Sequence, residues 1–345
     1  MSFNVIHAFP LPGVDTGEDL LTGLDVTFSK EMCVTEEDLI AHAQGADAIV
    51  AITSFHPFTK RVFANLDRCR IVAGIGVGFD TTDLEAASEA GIVVTNVPDY
   101  CIDEVSSHAL ALMLALNRKL FQTDRAVRQK RVSLNQDKKS LMEVAYPIFR
   151  MRDQTLGIVG LGRIGTAMAL KARGLGMRVI AYDPYVLGAV MESRGVKPVD
   201  LNTLLRESDF ISVHTPMNGE TAGMIGYAEF TQMKPTCYFI NTARGACVEQ
   251  GGLIRALNEG IIAGAGLDVT LDEPLVEENA LLTMPNVILT GHSAYYSITS
   301  EKEGNRKPMT QVVEVLKGEF PLYAVNPEVK ALWFQKWGGT PDRKK

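Results

Sequence analysis

The sequence predicts an α/β protein with two doubly wound parallel sheets, and three observations carry that prediction. Short β-branched runs alternate with amphipathic stretches in two series, one before about residue 100 and one after residue 155. In the second series an apolar run enters a G-x-G-x-x-G turn at Gly160, Gly162 and Gly165, and a helical pattern follows at once. At 345 residues the chain also exceeds one ordinary core and suits about two domains.

The first series has four candidate strands, at residues 4–9, 48–52, 70–75 and 92–96, with helical patterns at 36–44, 58–66 and 82–90 between them. A long apolar-periodic helix then starts near Asp103, where Asp103 and Glu104 complement its positive end. Its apolar run, 109–116, is the longest in the chain and far short of the about 20 residues that span a bilayer. Between Arg118 and Asp153 the sequence turns basic and polar, with Arg125, Arg128, Lys130, Arg131, Lys138 and Lys139, and reads as an exposed linker or a subunit-contact arm. Strands follow from Leu156 and near 178–182, 210–214, 238–241, 262–267 and 287–289. The tail holds both tryptophans, Trp333 and Trp337, which are expected to dock on the body, while its last residues are expected to be disordered.

Composition removes several classes of function. With 34 Lys and Arg against 41 Asp and Glu, the net charge is −7, which lacks the basic excess that nucleic acids or anionic membranes attract. Cys33, Cys69, Cys101, Cys237 and Cys247 are odd in number and form no C-x-x-C pair, so a reducing, cytoplasmic setting without a disulfide framework is expected. His7, His42, His108 and His214 have no metal-ligand spacing, and no metal is expected.

In the glycine turn, Gly160 permits the tight bend, Gly162 lets the backbone approach a pyrophosphate, and Gly165 allows close helix–strand packing. Arg163 and Ile164 open the helix, whose N-terminal N–H groups attract anions, and Arg163 is placed to lie along the pyrophosphate. Asp183 ends the next strand, about 18 residues beyond Gly165, where a carboxylate accepts from ribose hydroxyls and repels a 2′-phosphate. NAD is therefore favoured over NADP, although an Asp before Pro184 also suits a simple turn.

Three later strand ends carry unusual polar residues: Asn241-Thr242-Ala243-Arg244-Gly245, Asp268 with Glu273-Pro274, and Thr290-Gly291-His292-Ser293-Ala294. Ligands of open α/β sheets sit at such ends, so Arg244, Asp268, Glu273 and His292 could converge there. Taken singly, each has a plainer reading: a surface ion pair, a turn residue, a loop carboxylate and a satisfied core histidine.

These strings, with Gly74-Ile75-Gly76-Val77-Gly78-Phe79-Asp80 and Val97-Pro98-Asp99-Tyr100, resemble the NAD-dependent D-isomer-specific 2-hydroxyacid dehydrogenases over about residues 45–320. The likeness is greatest to their C-terminal-binding-protein-like branch. It implies a Rossmann NAD-binding domain over 103–294 and a discontinuous, flavodoxin-like substrate domain from 1–102 and 295–345. It also implies a catalytic set of Arg244, Glu273 and His292, in which the histidine donates and accepts the substrate proton. Imidazole, with an ordinary pKa of about 6.5, suits both directions, and the fork of Arg244 suits a substrate carboxylate. By the same resemblance, Thr242 and Ala243 bind the cofactor, Asp268 holds the nicotinamide carboxamide, and His214, Thr215 and Pro216 line the adenosine side. Backbone N–H groups of Val77 and Gly78 grip the substrate carboxylate, and Ser54, Tyr100 and Tyr295 shape its pocket.

The implied activity is NAD-dependent hydride transfer between a small 2-oxo acid and its D-2-hydroxy acid, in a homodimer whose arm is the basic stretch. An NAD(H)-sensing, corepressor-like binding role and phosphoglycerate oxidation are the alternatives. The chain departs from the family pattern at Gly291, where many members have proline, and at Ser107 before His108, where many have glutamate. Tyr295 replaces a tryptophan typical of the corepressor branch. His56 is expected to be a loop histidine and Cys101 a packing residue.

Overall fold

A computed structural model of the chain describes residues 2–129 and 138–338. Two compact units emerge, Met1–Cys101 with Tyr296–Lys345, and Ile102–Tyr295.

In the smaller unit, β1 (Phe3–His7), β2 (Val26–Lys30), β3 (Ala48–Ala51), β4 (Ile71–Gly74) and β5 (Val93–Thr95) form a parallel sheet in the order β2-β1-β3-β4-β5. This is the flavodoxin-like order. β3, β4 and β5 are buried throughout, which explains their uninterrupted apolar sequences: helices cover both faces of a parallel sheet. Their helices start at side-chain caps, Thr35 with Asp38 in a capping box, Thr59 and Asp83. The opposite face receives Met309, Val312 and Val315 from helix Ile298–Leu316 and Trp333 from helix Lys330–Trp337. Trp333 Nε1 donates to the Arg70 carbonyl at 2.9 Å and Trp337 Nε1 to that of Gly91 at 3.0 Å, so both tryptophans dock as expected. The tail beyond Gly338, expected to be disordered, lies outside the described residues.

Two expectations for this unit need correction. β2 was not foreseen, because an edge strand half open to solvent carries the mixed sequence Val-Thr-Phe-Ser-Lys rather than an apolar run. The 58–66 helix shortens to Lys60–Phe63, after which Asn65 turns its amide onto the Arg61 carbonyl. His56 does occupy a loop, but it is fully buried among Phe9, Phe55 and Phe58, with Nδ1 against the Ile52 backbone. Cys101 is buried, in keeping with packing.

His7, at the end of β1, is also buried, and neither ring nitrogen has a partner among the described residues. Burial first, then the charges of Lys30 and His56, push its pKa down to about 4, so it folds in neutral. An unfolded chain takes up that proton near pH 6.5 and the folded one only near pH 4, so stability falls as pH drops through this window. The full difference is on the order of 3 kcal/mol. Urea midpoints measured between pH 7.5 and pH 4.5 should fall steeply for the native chain and less for His7→Leu; parallel pH profiles would contradict this origin.

In the larger unit, β6 (Thr155–Val159), β7 (Arg178–Tyr182), β8 (Lys197–Pro198), β9 (Phe210–Val213), β10 (Tyr238–Asn241), β11 (Gly264–Leu267) and β12 (Val287–Leu289) are all parallel. Their order is β12-β11-β10-β9-β6-β7-β8. Strand order reverses between β6 and β9, which opens a crevice at the carboxyl ends of those strands. The unforeseen β8 is a two-residue edge strand ending in Pro198, a position where the missing N–H is harmless. Helix Ile102–Asn117 buries Ala109, Leu112, Met113 and Leu116 against Leu156, Ile158, Tyr238 and Ile240. Its approach favours glycine at 266, where a Cβ would stand 3.0 Å from that of Leu112 and the helix would have to give by a few tenths of an ångström.

The basic stretch contains helices Leu120–Arg128 and Lys138–Ala145, which expose Leu120, Phe121, Val127 and Met142. Lys130 and Arg131 lie outside the described residues. Among the described residues no helix is long and apolar enough to cross a membrane, and no group of three or more His, Cys, Asp or Glu could hold a metal.

Candidate active site

The glycine turn joins β6 to helix Arg163–Gly174. Gly160 has φ +90°, and a Cβ there would lie 2.8 Å from the His214 carbonyl oxygen. A Cβ on Gly165 would stand 2.1 Å from the Gly160 oxygen, whereas one on Gly162 would meet nothing within 4 Å. Two glycines are thus required for packing, and the third leaves open space at a helix start that no side chain caps. That is a cradle for a pyrophosphate. Arg163 is exposed beside it, and Ile164 is half-buried.

Asp183 works on both sides of this turn. Its Oδ2 accepts from Leu161 N–H at 2.8 Å, fixing the glycine loop, and its Oδ1 accepts from Tyr185 N–H at 2.9 Å in the turn after β7. The turn role and a ribose role are compatible, since an ionised carboxylate has about four acceptor positions. Arg194, which sequence reasoning passed over, holds the loop from outside through Leu161 O at 2.9 Å and Thr166 Oγ1 at 2.8 Å.

At the end of β9, His214 Nε2 lies 2.9 Å from Ser212 Oγ, and burial pushes its pKa down to about 4, so this wall of the crevice is uncharged near neutrality. Thr215 is half-buried and Pro216 exposed. At the end of β10, the Thr242 hydroxyl is buried without a partner among the described residues, beside half-buried Ala243. A cradle at Gly162, a carboxylate at Asp183, a neutral wall at His214 and an orphaned hydroxyl at Thr242 fit an extended dinucleotide.

The polar strand ends of β10, β11 and β12 meet. Asn241 receives Ala243 N–H at 3.0 Å and donates to the Arg244 carbonyl at 2.9 Å, shaping the turn that presents Arg244. Gly245 passes so close to Thr270 that a Cβ would stand 2.0 Å from the Thr270 carbonyl group. Arg244 is half-buried, and its Nη1 donates to the Ala243 carbonyl at 2.7 Å. His292 Nδ1 and Glu273 Oε2 are 2.7 Å apart. Burial pushes the Glu273 carboxyl up, but the bond and charge of His292, the Thr270 N–H and the charge of Arg244 outweigh it. Glu273 therefore titrates below the usual glutamate range and is ionised near neutrality. The His292 side chain is 48% exposed, free to meet a ligand through Nε2.

Asp268 organises the histidine loop. Only 3% exposed, it accepts at Oδ1 from Thr290 Oγ1 (2.7 Å) and Ser293 N–H (2.9 Å), and at Oδ2 from Ala294 N–H (3.0 Å). Its backbone oxygen takes His292 N–H at 2.6 Å. His292 adopts φ +57° and Gly291 φ +45°. Proline is locked near −65°, so position 291 takes a path that a proline would forbid.

In the smaller unit, Ser54, Val77, Gly78 and Tyr100 gather near the carboxyl ends of β3, β4 and β5. Thr53 Oγ1 donates to the Gly78 carbonyl and Asn96 Nδ2 to that of Val77, each at 2.8 Å. The N–H groups of Val77 and Gly78 have no acceptor among the described residues. Tyr100 packs its ring over Gly304, and Tyr295, in the larger unit, is half-buried.

A family model described as D-isomer specific 2-hydroxyacid dehydrogenase, NAD binding domain, matches residues 110–294. A glyoxylate reductase of Thermococcus litoralis is 40% identical over 299 residues, covering 84% of this chain and 87% of that one. A D-3-phosphoglycerate dehydrogenase of Archaeoglobus fulgidus is 36% identical over 304 residues, covering 88% of this chain and 55% of its own length. The crystal structure of a D-lactate dehydrogenase from Aquifex aeolicus with NAD and lactic acid aligns with a TM-score of 0.79 and 30% identity, over 92% of this chain and 96% of that one. These relatives establish the family and do not reach as far as its corepressor-like branch. The family model over more than half of the chain and the 40% identical relative identify the chain as a member of the NAD-dependent D-isomer-specific 2-hydroxyacid dehydrogenases.

Proposed function

We propose that the protein reduces a small 2-oxo acid to the D-2-hydroxy acid with NADH, and runs in reverse with NAD, using Arg244, Glu273 and His292. The observation that carries this reading is the 2.7 Å contact of His292 with an ionised Glu273 at the carboxyl end of the sheet that also presents Arg244. NADH, when bound, supplies the hydride. His292 gives a proton to the substrate carbonyl oxygen from Nε2 while Nδ1 stays on Glu273, whose carboxylate fixes the orientation of the ring. In oxidation it takes that proton from the hydroxyl. Arg244 holds the substrate carboxylate through its planar fork and polarises the adjacent carbonyl.

In the smaller unit, the unpartnered N–H groups of Val77 and Gly78 are suited to a carboxylate, and Ser54 and Tyr100 to a substrate's side chain; in the larger unit, Tyr295 is suited to a substrate's side chain. Gly160, Gly162, Arg163, Ile164 and Gly165 hold the pyrophosphate, Asp183 the ribose, His214, Thr215 and Pro216 the adenosine, and Thr242, Ala243 and Asp268 the nicotinamide end. Glyoxylate is the first substrate to test, because the Thermococcus litoralis relative carries that name. NADH oxidation against a panel from glyoxylate to phenylpyruvate should find at least one fast substrate; tight NADH binding without turnover on any 2-oxo acid would sink the proposal.

A homodimer in the cytoplasm is the proposed setting. Five cysteines without a disulfide support the compartment, and the apolar side chains exposed on the arm helices support the dimer. Sedimentation at a single-chain mass of 37.6 kDa at micromolar concentration would rule the dimer out.

A further inference from the structure

We propose that His108 is a positioning residue for this reaction, holding the His292 loop through a directed chain of hydrogen bonds; the inference rests on His292 as the proton donor. His108 lies on helix Ile102–Asn117, and its Nε2 is 2.8 Å from Thr290 Oγ1. Thr290 Oγ1 is in turn 2.7 Å from Asp268 Oδ1. An ionised carboxylate only accepts, so the single Thr290 hydroxyl proton points to Asp268. The Thr290 oxygen must then accept from His108, which fixes a proton on Nε2. The polarity runs one way, from His108 to Thr290 to Asp268.

The end of this chain is the carboxylate that ties the loop down. Asp268 receives Ser293 and Ala294 N–H on its side chain and His292 N–H on its backbone oxygen. Three successive amides thus hang on one residue, and they hold His292 at φ +57°, a conformation a non-glycine residue keeps only when its surroundings enforce it. The helix is itself clamped: Lys171 Nζ reaches Asp103 Oδ1 at 2.7 Å, Ser106 Oγ at 2.8 Å and Ser107 Oγ at 2.7 Å. Ser107, through its hydroxyl, therefore serves the clamp. His108 is carried on a fixed helix end and reaches across to a strained loop.

Two variants separate the hydrogen bond from the volume it occupies. His108→Gln keeps an N–H near the Nε2 position, and His108→Leu fills the space without a donor. In His108→Leu, kcat on the preferred 2-oxo acid should fall about 10–100-fold, the cost of a misplaced reacting group, while the Kd for NADH stays within about twofold. His108→Gln should keep kcat within about threefold of the native value, and Thr290→Val with His108→Leu should lose no more than the worse single variant. Amide hydrogen exchange at 292–294 should quicken in His108→Leu but not in His108→Gln, with 155–159 as the unchanged reference.

Equal kcat losses in the Leu and Gln variants, or native kcat and exchange in the Leu variant, would overturn the assignment. Should His108→Leu not fold, Thr290→Val against Thr290→Ser repeats the contrast, since only serine keeps the hydroxyl. Exchange reports the loop whichever residue gives the proton, so activity surviving in His292→Ala would count against the proton-donor reading and leave the hydrogen-bond chain separately tested.

Discussion

Replacing His292 by alanine should lower kcat on the preferred 2-oxo acid by about 10²–10⁴-fold, the usual worth of a positioned general acid. NADH affinity should hardly change. His292 stands on the loop after β12, its side chain is tied to Glu273, and among the described residues no hydrogen bond links the imidazole to the glycine turn or to Asp183. Stopped-flow turnover and NADH fluorescence titration on the same preparation make the comparison. Lost NADH binding with native turnover in the bound fraction would contradict the proton-donor role.

Arg244→Lys should lower kcat/KM by about 10²-fold or more while leaving NADH binding near native, because lysine keeps the charge and loses the fork. The turn that presents Arg244 is built around its backbone: Asn241 receives Ala243 N–H and donates to the Arg244 carbonyl, and Gly245 passes against Thr270 where no Cβ fits. A shorter reach from that fixed turn leaves a carboxylate one hydrogen bond poorer and its carbonyl less polarised. Steady-state kinetics over the 2-oxo acid panel provide the measurement. A lysine variant within about threefold of native kcat/KM would remove Arg244 from carboxylate recognition.

The sequence made the covered strands and the glycine turn plain for physical reasons. β3, β4 and β6 are buried on both faces, so their apolar runs are continuous, and Gly160 and Gly165 are required by local sterics that the motif itself encodes. The edge strands β2 and β8 were silent because half their residues meet water. Arg244, Glu273 and His292 could be named from strand-end chemistry together with the family likeness, but their contacts could not. The role of Asp268 depends on how the ends of β11 and β12 lie side by side, and that of His108 on which turn of a helix faces them. The burial of His7 at the end of β1 and of His56 in a loop is likewise a product of packing, since neither neighbourhood in the sequence says which side chains close over the imidazole.

The most direct test is the configuration of the product. Reduction of pyruvate, or of the fastest panel member with a prochiral carbonyl, by NADH and the purified protein is followed by chiral chromatography of the 2-hydroxy acid. The expected result is the D-isomer alone, formed at a rate that His292→Ala abolishes. An L-isomer or a racemate would contradict the proposed arrangement of Arg244 and His292 about the carbonyl.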